Sequence, residues 1–283
     1  MLIPLKEILE EAKKGQYAVG AFNANNMEIV QAIMESAQEE NSPVILQASQ
    51  GALRYAGIEY ITSMVMTAAE KVSVPVALHL DHGTSFEQAM LCIRHGFSAV
   101  MFDGSKLPLE ENISLTAKVV EVAHAVGVSV EGELGRIGGT EDDISVDEKD
   151  ALFTNPQEAL HFVESTEVDA LAVAIGTAHG PYKGEPRLDF DRLEEIKEKV
   201  DTPLVLHGAS GVSDDSICRA VGLGICKINI DTDIRQAFTR GVSMVLEETP
   251  AEYCPRKLLT PAKEEMKKVI KAKMRLFKCS QKA

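Results

Sequence analysis

Apolar residues along the chain fall into two alternating kinds of run. Short, β-rich runs recur at 18–22 (AVGAF), 43–49 (PVILQAS), 74–80 (VPVALHL), 98–103 (SAVMFD), 128–134 (VSVEGEL), 170–176 (ALAVAIG), 203–208 (PLVLHG) and 225–230 (ICKINI). Between them, residues 27–40, 58–72, 85–96, 109–127, 155–166, 190–200 and 213–224 repeat their apolar positions at helical spacing. Several of these segments open on a capping residue or close on glycine. Eight runs apolar enough to be buried on both faces, alternating with helices, predict a parallel α/β fold. Eight such units in about 250 residues favour a closed (β/α)8 TIM barrel over an open doubly wound sheet. A helix over 4–14 precedes the first strand and is placed to cap the barrel floor. Residues 255–283 read as a basic amphipathic helix, a C-terminal extension outside the eightfold pattern. No linker or low-complexity stretch interrupts the repeats, so a single domain is expected over 1–283.

Composition narrows the class. With 283 residues, 45% of them hydrophobic, the chain can bury a large core. Its formal net charge of −14 argues against nucleic-acid binding, which needs Lys and Arg facing phosphate. No apolar run approaches the roughly 20 residues that span a bilayer. The opening MLIPLKEILEEAKKG mixes acids and bases, unlike a signal peptide. Cysteines 92, 218, 226, 254 and 279 are odd in number and form no CxxC pair, as expected of reduced thiols in a cytoplasmic protein. There is neither a P-loop nor a GxGxxG fingerprint, which argues against a nucleotide cofactor.

Candidate chemistry sits at the ends of the strands. The runs lead into Asp81-His82-Gly83, Glu131-Gly132-Glu133, His179-Gly180, His207-Gly208 and Asn229-Ile230-Asp231. Two connections, 135–154 and 176–188, are longer than ordinary βα loops and would also lie at the C-terminal mouth, where barrel enzymes carry their sites. The pattern alone leaves two readings of the three histidines. They are hydrogen-bonded strand-end residues, or they are the three ligands of a catalytic zinc that keeps one position open. A glycine after each histidine permits a positive-φ turn and exposes backbone amides to an anion. Ser49, the segment 207–211 (HGASG) and Lys183 could hold one phosphate. Glu141, Asp142 and Asp143 follow a glycine hinge, either as solvated acids or as a base on a flap. His95, His124 and His161 fall in helical stretches as surface residues, and His79 reads as a satisfied core residue.

The segments HLDHG, GELGRIGGTEDD, GTAHGPYKGEP, LVLHGASG and KINIDTD, in this order and followed by YCPRKLL, closely resemble the class II (zinc-dependent) fructose-bisphosphate aldolases. The resemblance covers almost the whole chain and is closest to the shorter branch, which includes tagatose-bisphosphate aldolases. It implies reversible cleavage of fructose 1,6-bisphosphate to dihydroxyacetone phosphate and glyceraldehyde 3-phosphate through a zinc-stabilised enediolate, as in glycolysis and gluconeogenesis. It further implies that His82, His179 and His207 hold one Zn2+ per subunit, with Glu133 ligating or beside it. Asp81 matches the acid/base at the C4 hydroxyl, and Glu141 matches the group that moves the proton on dihydroxyacetone phosphate. Ser49, Gly180, Lys183, Gly208, Ser210, Asn229 and Thr232 match the surroundings of the first phosphate, and Asn23 lines the pocket. Members often need Na+ or K+ near Gly180 and Gly208. Asp231, with Arg235 four residues on, resembles the fructose-type members; tagatose-type members usually carry Ala in place of that Asp. Arg256 matches a residue that reaches a neighbouring subunit's distal phosphate, implying a homodimer or homotetramer. A lysine Schiff base is the alternative strategy for such a cleavage, and Lys227, inside the eighth run, is its one candidate. Outside the family, a metal-dependent hydrolase could use the same barrel.

Overall fold

Each of the eight short runs forms a strand in the computed structural model, which describes residues 2–141, 144–147, 151–182, 184 and 186–283. The barrel strands are β1 (Val19–Asn23), β2 (Val44–Ser49), β3 (Val76–Gly83), β4 (Ala99–Phe102), β5 (Ser129–Leu134), β8 (Ala170–Val173), β10 (Leu204–Leu206) and β11 (Ile225–Ile230). The remaining strands, β6 (Gly138–Glu141), β7 (Ile144–Val146) and β9 (Ala178–His179), form a small separate sheet. The barrel closes in the order β1-β11-β10-β8-β5-β4-β3-β2, and every neighbouring pair is parallel. The topology expected from the eightfold repeat is the one observed.

The described helices are α1 (Leu5–Gly15), α2 (Met27–Glu40), α3 (Gln50–Ala56), α4 (Ile58–Ala69), α5 (Phe86–Arg94), α6 (Leu109–Ala125), α7 (Pro156–Thr166), α8 (Phe190–Lys199), α9 (Asp214–Gly222), α10 (Thr232–Glu248) and α11 (Pro255–Leu276). Asn26, Ser85, Asn155, Asp189 and Ser213 each accept a backbone N–H at the start of their helix. Helix α1 buries Leu5, Ile8, Leu9 and Ala12, and the backbone N–H of Lys6 donates to Ser129 Oγ at the first residue of β5. It therefore closes the N-terminal end of the barrel, as its position in the sequence suggested. The basic face of α11 lies against α2: Lys263 and Lys267 pair with Glu35, Lys267 and Lys271 with Glu39, and Arg275 with Glu40.

Three features correct the reading of the pattern. Helix α10 follows β11 and completes the eightfold repeat, beyond the seven helical segments read from the sequence. Gly241 is there because α11 crosses so closely that a Cβ would lie 2.4 Å from Ala262 Cα. Residues 135–154 are not one long loop, because β6 and β7 pair antiparallel and β6 pairs with β9. Backbone hydrogen bonding makes that sheet, with glycines at Gly138 and Gly139, so side-chain alternation gave no sign of it. Finally, the strands are not apolar on both faces. Lys227 of β11 bonds Glu131 of β5, and Asn229 of β11 bonds Asp81 of β3. Neither pair joins neighbouring strands, so both bonds cross the barrel lumen. The outward residues Leu78, Leu80, Val130, Ile228 and Ile230 carry the apolar packing instead.

Candidate active site

Asp81 and His82 are consecutive in β3, and in a regular strand they would face opposite sides. The register against β4 shifts between Leu80 and Gly83, and His82 has a φ of 48°. This bulge brings both side chains to the mouth. A histidine in left-handed backbone is strained, and strain of this kind concentrates at working residues. Asp81 is fully buried and accepts three amide N–H groups, from Asn23 Nδ2 at 2.8 Å, Gln47 Nε2 at 3.1 Å and Asn229 Nδ2 at 3.2 Å.

His82 meets His179 of β9 and His207, which follows β10 directly. Their ring centroids are 4.8–6.1 Å apart and all edge-on. One ring nitrogen from each lies within 4.8 Å of the other two, and His82 Nε2 is 3.1 Å from His207 Nδ1. Ligand nitrogens of a tetrahedral zinc with bonds of about 2.0–2.1 Å sit about 3.3 Å apart, so the constellation matches a bound ion in scale. The opposite ring nitrogens are oriented by acids: His82 Nδ1 is 3.0 Å from Asp103 Oδ2, and His207 Nε2 is 2.8 Å from Glu131 Oε1. Carboxylates behind the rings are the usual support of metal-binding imidazoles. Asp103 is held in turn by the hydroxyl of Ser105 at 2.6 Å.

Electrostatics point the same way. Burial works against a charge on His82, but the charge of Asp81 and the hydrogen bond to Asp103 overcome it and raise its pKa well above the ordinary value. Burial, followed by the charge of Asp103, pushes Glu133 well above the carboxylate range. Its buried Oε2 has no hydrogen-bond partner among the described residues and stands 3.5 Å from His207 Nδ1 and 3.8 Å from His82 Nδ1. A site that draws protons onto both a histidine and a carboxylate is short of positive charge. A divalent cation supplies it, and the donor set fits one. His79 is different: burial lowers it to about 3, so it is a neutral core residue, but not the satisfied one expected, because neither ring nitrogen has a hydrogen-bond partner among the described residues.

Beside the histidines a cavity of about 590 Å3 opens along the N-terminal turns of α10. Gly180, Gly208, Ser210, Asn229, Asp231, Thr232 and Arg235 all line it, as does His179. Gly180 and Gly208 have φ of 82° and 64°, the turns that only glycine makes easily. Tyr182 ties the two together, since its hydroxyl accepts from Ala178 N–H at 2.7 Å and donates to the Gly208 carbonyl at 2.8 Å. Asp231 and Arg235 form a bidentate pair, with Oδ1–Nε and Oδ2–Nη2 both 2.8 Å.

Other expected residues stand apart. Ser49 is buried beside Asp81 in the β2–β3 register, where its hydroxyl caps α3 by accepting from Ala52 N–H at 3.1 Å. Arg256 is exposed at the start of α11 and does not line the cavity. Lys183, Asp142, Asp143 and the side chain of Glu141 lie outside the described residues. His124 is more than a surface residue: its Nε2 is 2.8 Å from the buried Asp169. All five cysteines are free thiols.

Sequence reasoning assigned no role to Gln47 or Asp103, and named Glu131 only as a strand-end acid beside Glu133. Each is an acid or amide inside an apolar run, which was the available signal. Gln236, Thr239, Arg240 and Ser243 also line the cavity from α10, a helix the periodicity had not revealed.

Residues 3–282 match the model of the family described as "Fructose-bisphosphate aldolase class-II". The chain is 50% identical to a fructose-bisphosphate aldolase of Thermus caldophilus, with 98% of each chain covered. It is 48% identical to a sulfofructosephosphate aldolase of Alkalicoccus urumqiensis, covering 98% of this chain and 97% of that one. Among solved structures it is similar to the YdjI aldolase of Escherichia coli K12, with a TM-score of 0.88 and 34% identity over the full length of both.

Proposed function

We infer that this chain, which belongs to the class II fructose-bisphosphate aldolase family, is an aldehyde-lyase that cleaves fructose 1,6-bisphosphate reversibly to dihydroxyacetone phosphate and glyceraldehyde 3-phosphate. One observation carries the reading: three imidazoles from separate elements meet a caged carboxylate at the edge of a cavity walled by the start of a long helix. His82, His179 and His207 would hold zinc, with Glu133 beside them. When bound, zinc supplies Lewis-acid stabilisation for the negative charge that develops on substrate oxygens as the C3–C4 bond breaks.

The remaining work falls to the chain itself. Asp81 takes the proton from the C4 hydroxyl in cleavage and returns it in condensation; its three amide donors hold the carboxylate ready to accept. Gly180, Gly208, Ser210 and the first turn of α10 receive the phosphate of the dihydroxyacetone half, where the helix dipole favours an anion. Lys183 completes that site, with Na+ or K+ at the nearby carbonyls. Glu141 moves the proton on dihydroxyacetone phosphate. Arg256 serves the distal phosphate of a neighbouring subunit, in a homodimer or homotetramer.

A second reading concerns the substrate. Asp231 and its Arg235 partner support fructose over its C4 epimer, tagatose, because the carboxylate can accept from the C4 hydroxyl. The sulfofructosephosphate relative makes a sulfonated ketose phosphate the third substrate to test. A coupled assay with the ketose phosphates, before and after metal removal, decides among them. We expect chelation to abolish cleavage, zinc or cobalt to restore it, and borohydride with substrate to leave the enzyme active. Inactivation by borohydride would move the chemistry to a lysine. A tenfold higher kcat/KM for tagatose 1,6-bisphosphate or for the sulfonated substrate would reassign the specificity.

A further inference from the structure

Lys227 is a fully buried lysine that the proposed reaction does not use. It lies in β11 with its side chain in the lumen, and its Nζ is 2.9 Å from Glu131 Oε2 and 2.7 Å from Asn229 Oδ1. An amine enclosed in this way, paired with a carboxylate and an amide oxygen, is not a free nucleophile for a carbonyl. A buried lysine needs a reason, because its charge is costly to bury even when paired.

The reason lies in the direction of its hydrogen bonds. An ammonium only donates and a carboxylate only accepts, whereas an Asn side chain can do either by turning its amide over. Asn229 stands between Lys227 and Asp81. Lys227 fixes Oδ1 toward itself, which leaves Nδ2 facing Asp81 Oδ1 at 3.2 Å. Were the amide reversed, its oxygen would face the carboxylate and Asp81 would lose one of its three amide donors. On the other side Glu131 balances the lysine's charge while accepting from His207. A continuous buried line, Asp81–Asn229–Lys227–Glu131–His207, thus crosses the lumen between the acid–base group and a candidate metal ligand.

We propose that Lys227 is a positioning residue that sets the polarity of the Asn229 amide and so holds Asp81 in its working orientation. This rests on the assignment of Asp81 as the acid–base group. The wild-type enzyme is therefore assayed first: absence of cleavage on every ketose phosphate would defeat that assignment, independently of Lys227.

The test is a double-mutant cycle on zinc-loaded protein, K227M, N229A and K227M/N229A, with zinc content and circular dichroism measured for each. We expect K227M to retain one zinc per chain, to lower kcat tenfold or more, and to change KM less than threefold. In the N229A background, K227M should change kcat less than twofold, because the amide through which it acts is gone. Should K227M not fold, leaving Glu131 as a lone buried charge, K227M/E131Q removes both charges and is compared with E131Q in the same cycle. Three results would each overturn the proposal: a folded variant with kcat within twofold of its parent, a loss that multiplies undiminished on N229A, or loss of zinc from K227M, which would direct its effect to His207 instead.

Discussion

Between the inward-facing Glu131 and Glu133, Gly132 turns outward under the ring of Phe162 from α7, which is fully buried. A Cβ at Gly132 would lie 2.7 Å from Phe162 Cε1, 2.9 Å from Cζ and 3.4 Å from Val168 Cγ1. Ring or strand would have to give way by about 0.7 Å to reach ordinary contact, and helix packing fixes the ring. Gly132→Ala alone should therefore cost about 1–3 kcal/mol by overpacking. Phe162→Ala alone should cost about 3–5 kcal/mol, through lost transfer energy and the cavity left behind. Combined, the two should not add: the new methyl enters the space the ring vacated, where burying it is worth about 0.8 kcal/mol. Gly132→Ala should then be neutral or stabilising, a coupling of about 1–4 kcal/mol. Equilibrium urea unfolding followed by circular dichroism measures all four proteins, with unchanged m-values as the check that only stability moved. Costs that add within about 0.5 kcal/mol would refute the reasoning. The same strand carries Glu131 and Glu133, so Gly132→Ala alone should also weaken zinc binding, and Phe162→Ala should restore it in the double variant.

Other expectations can be checked separately. Saturating zinc should raise the unfolding free energy of chelator-treated protein, by about 4 kcal/mol at a thousand times Kd; a melting temperature indifferent to zinc would contradict the metal site. Hydrogen-bonded pairing with Arg275 lowers the Glu40 pKa. Because the folded-state value is depressed, this pair contributes fully above the unfolded value near 4.3 and is lost as pH falls through the folded value. Glu40→Gln should accordingly lower the melting temperature at pH 7 and flatten its decline between about pH 5 and 3; parallel pH profiles for the two proteins would count against it. Tyr182→Phe removes the hydroxyl between Ala178 N–H and the Gly208 carbonyl. It should cost about 1–2 kcal/mol of stability and raise KM for the bisphosphate several-fold, whereas an unchanged KM would separate this bridge from the phosphate site.

Sequence alone determined the barrel. Strand-length apolar runs alternating with capped amphipathic helices leave few ways to bury both, and eight such units close on themselves. It also located the histidines and Asp81, because a titratable group ending an apolar run in a parallel barrel has to emerge at one mouth. Tertiary structure decided the rest, since it depends on contacts that cross the lumen or join distant segments. The bulge that turns Asp81 and His82 to the same side is a property of the β3–β4 register, invisible in HLDHG itself. Asp103 and Glu131 gain their parts only where the rings of His82 and His207 stand against them. The sheet of β6, β7 and β9 forms through glycine backbone, which has no side-chain period to read. Lys227 is a lone cation inside an apolar run, and the carboxylate that balances its charge, Glu131, lies 96 residues away across the barrel. Local patterns encode which side of an element faces inward, and only closure of the barrel fixes which inward groups meet.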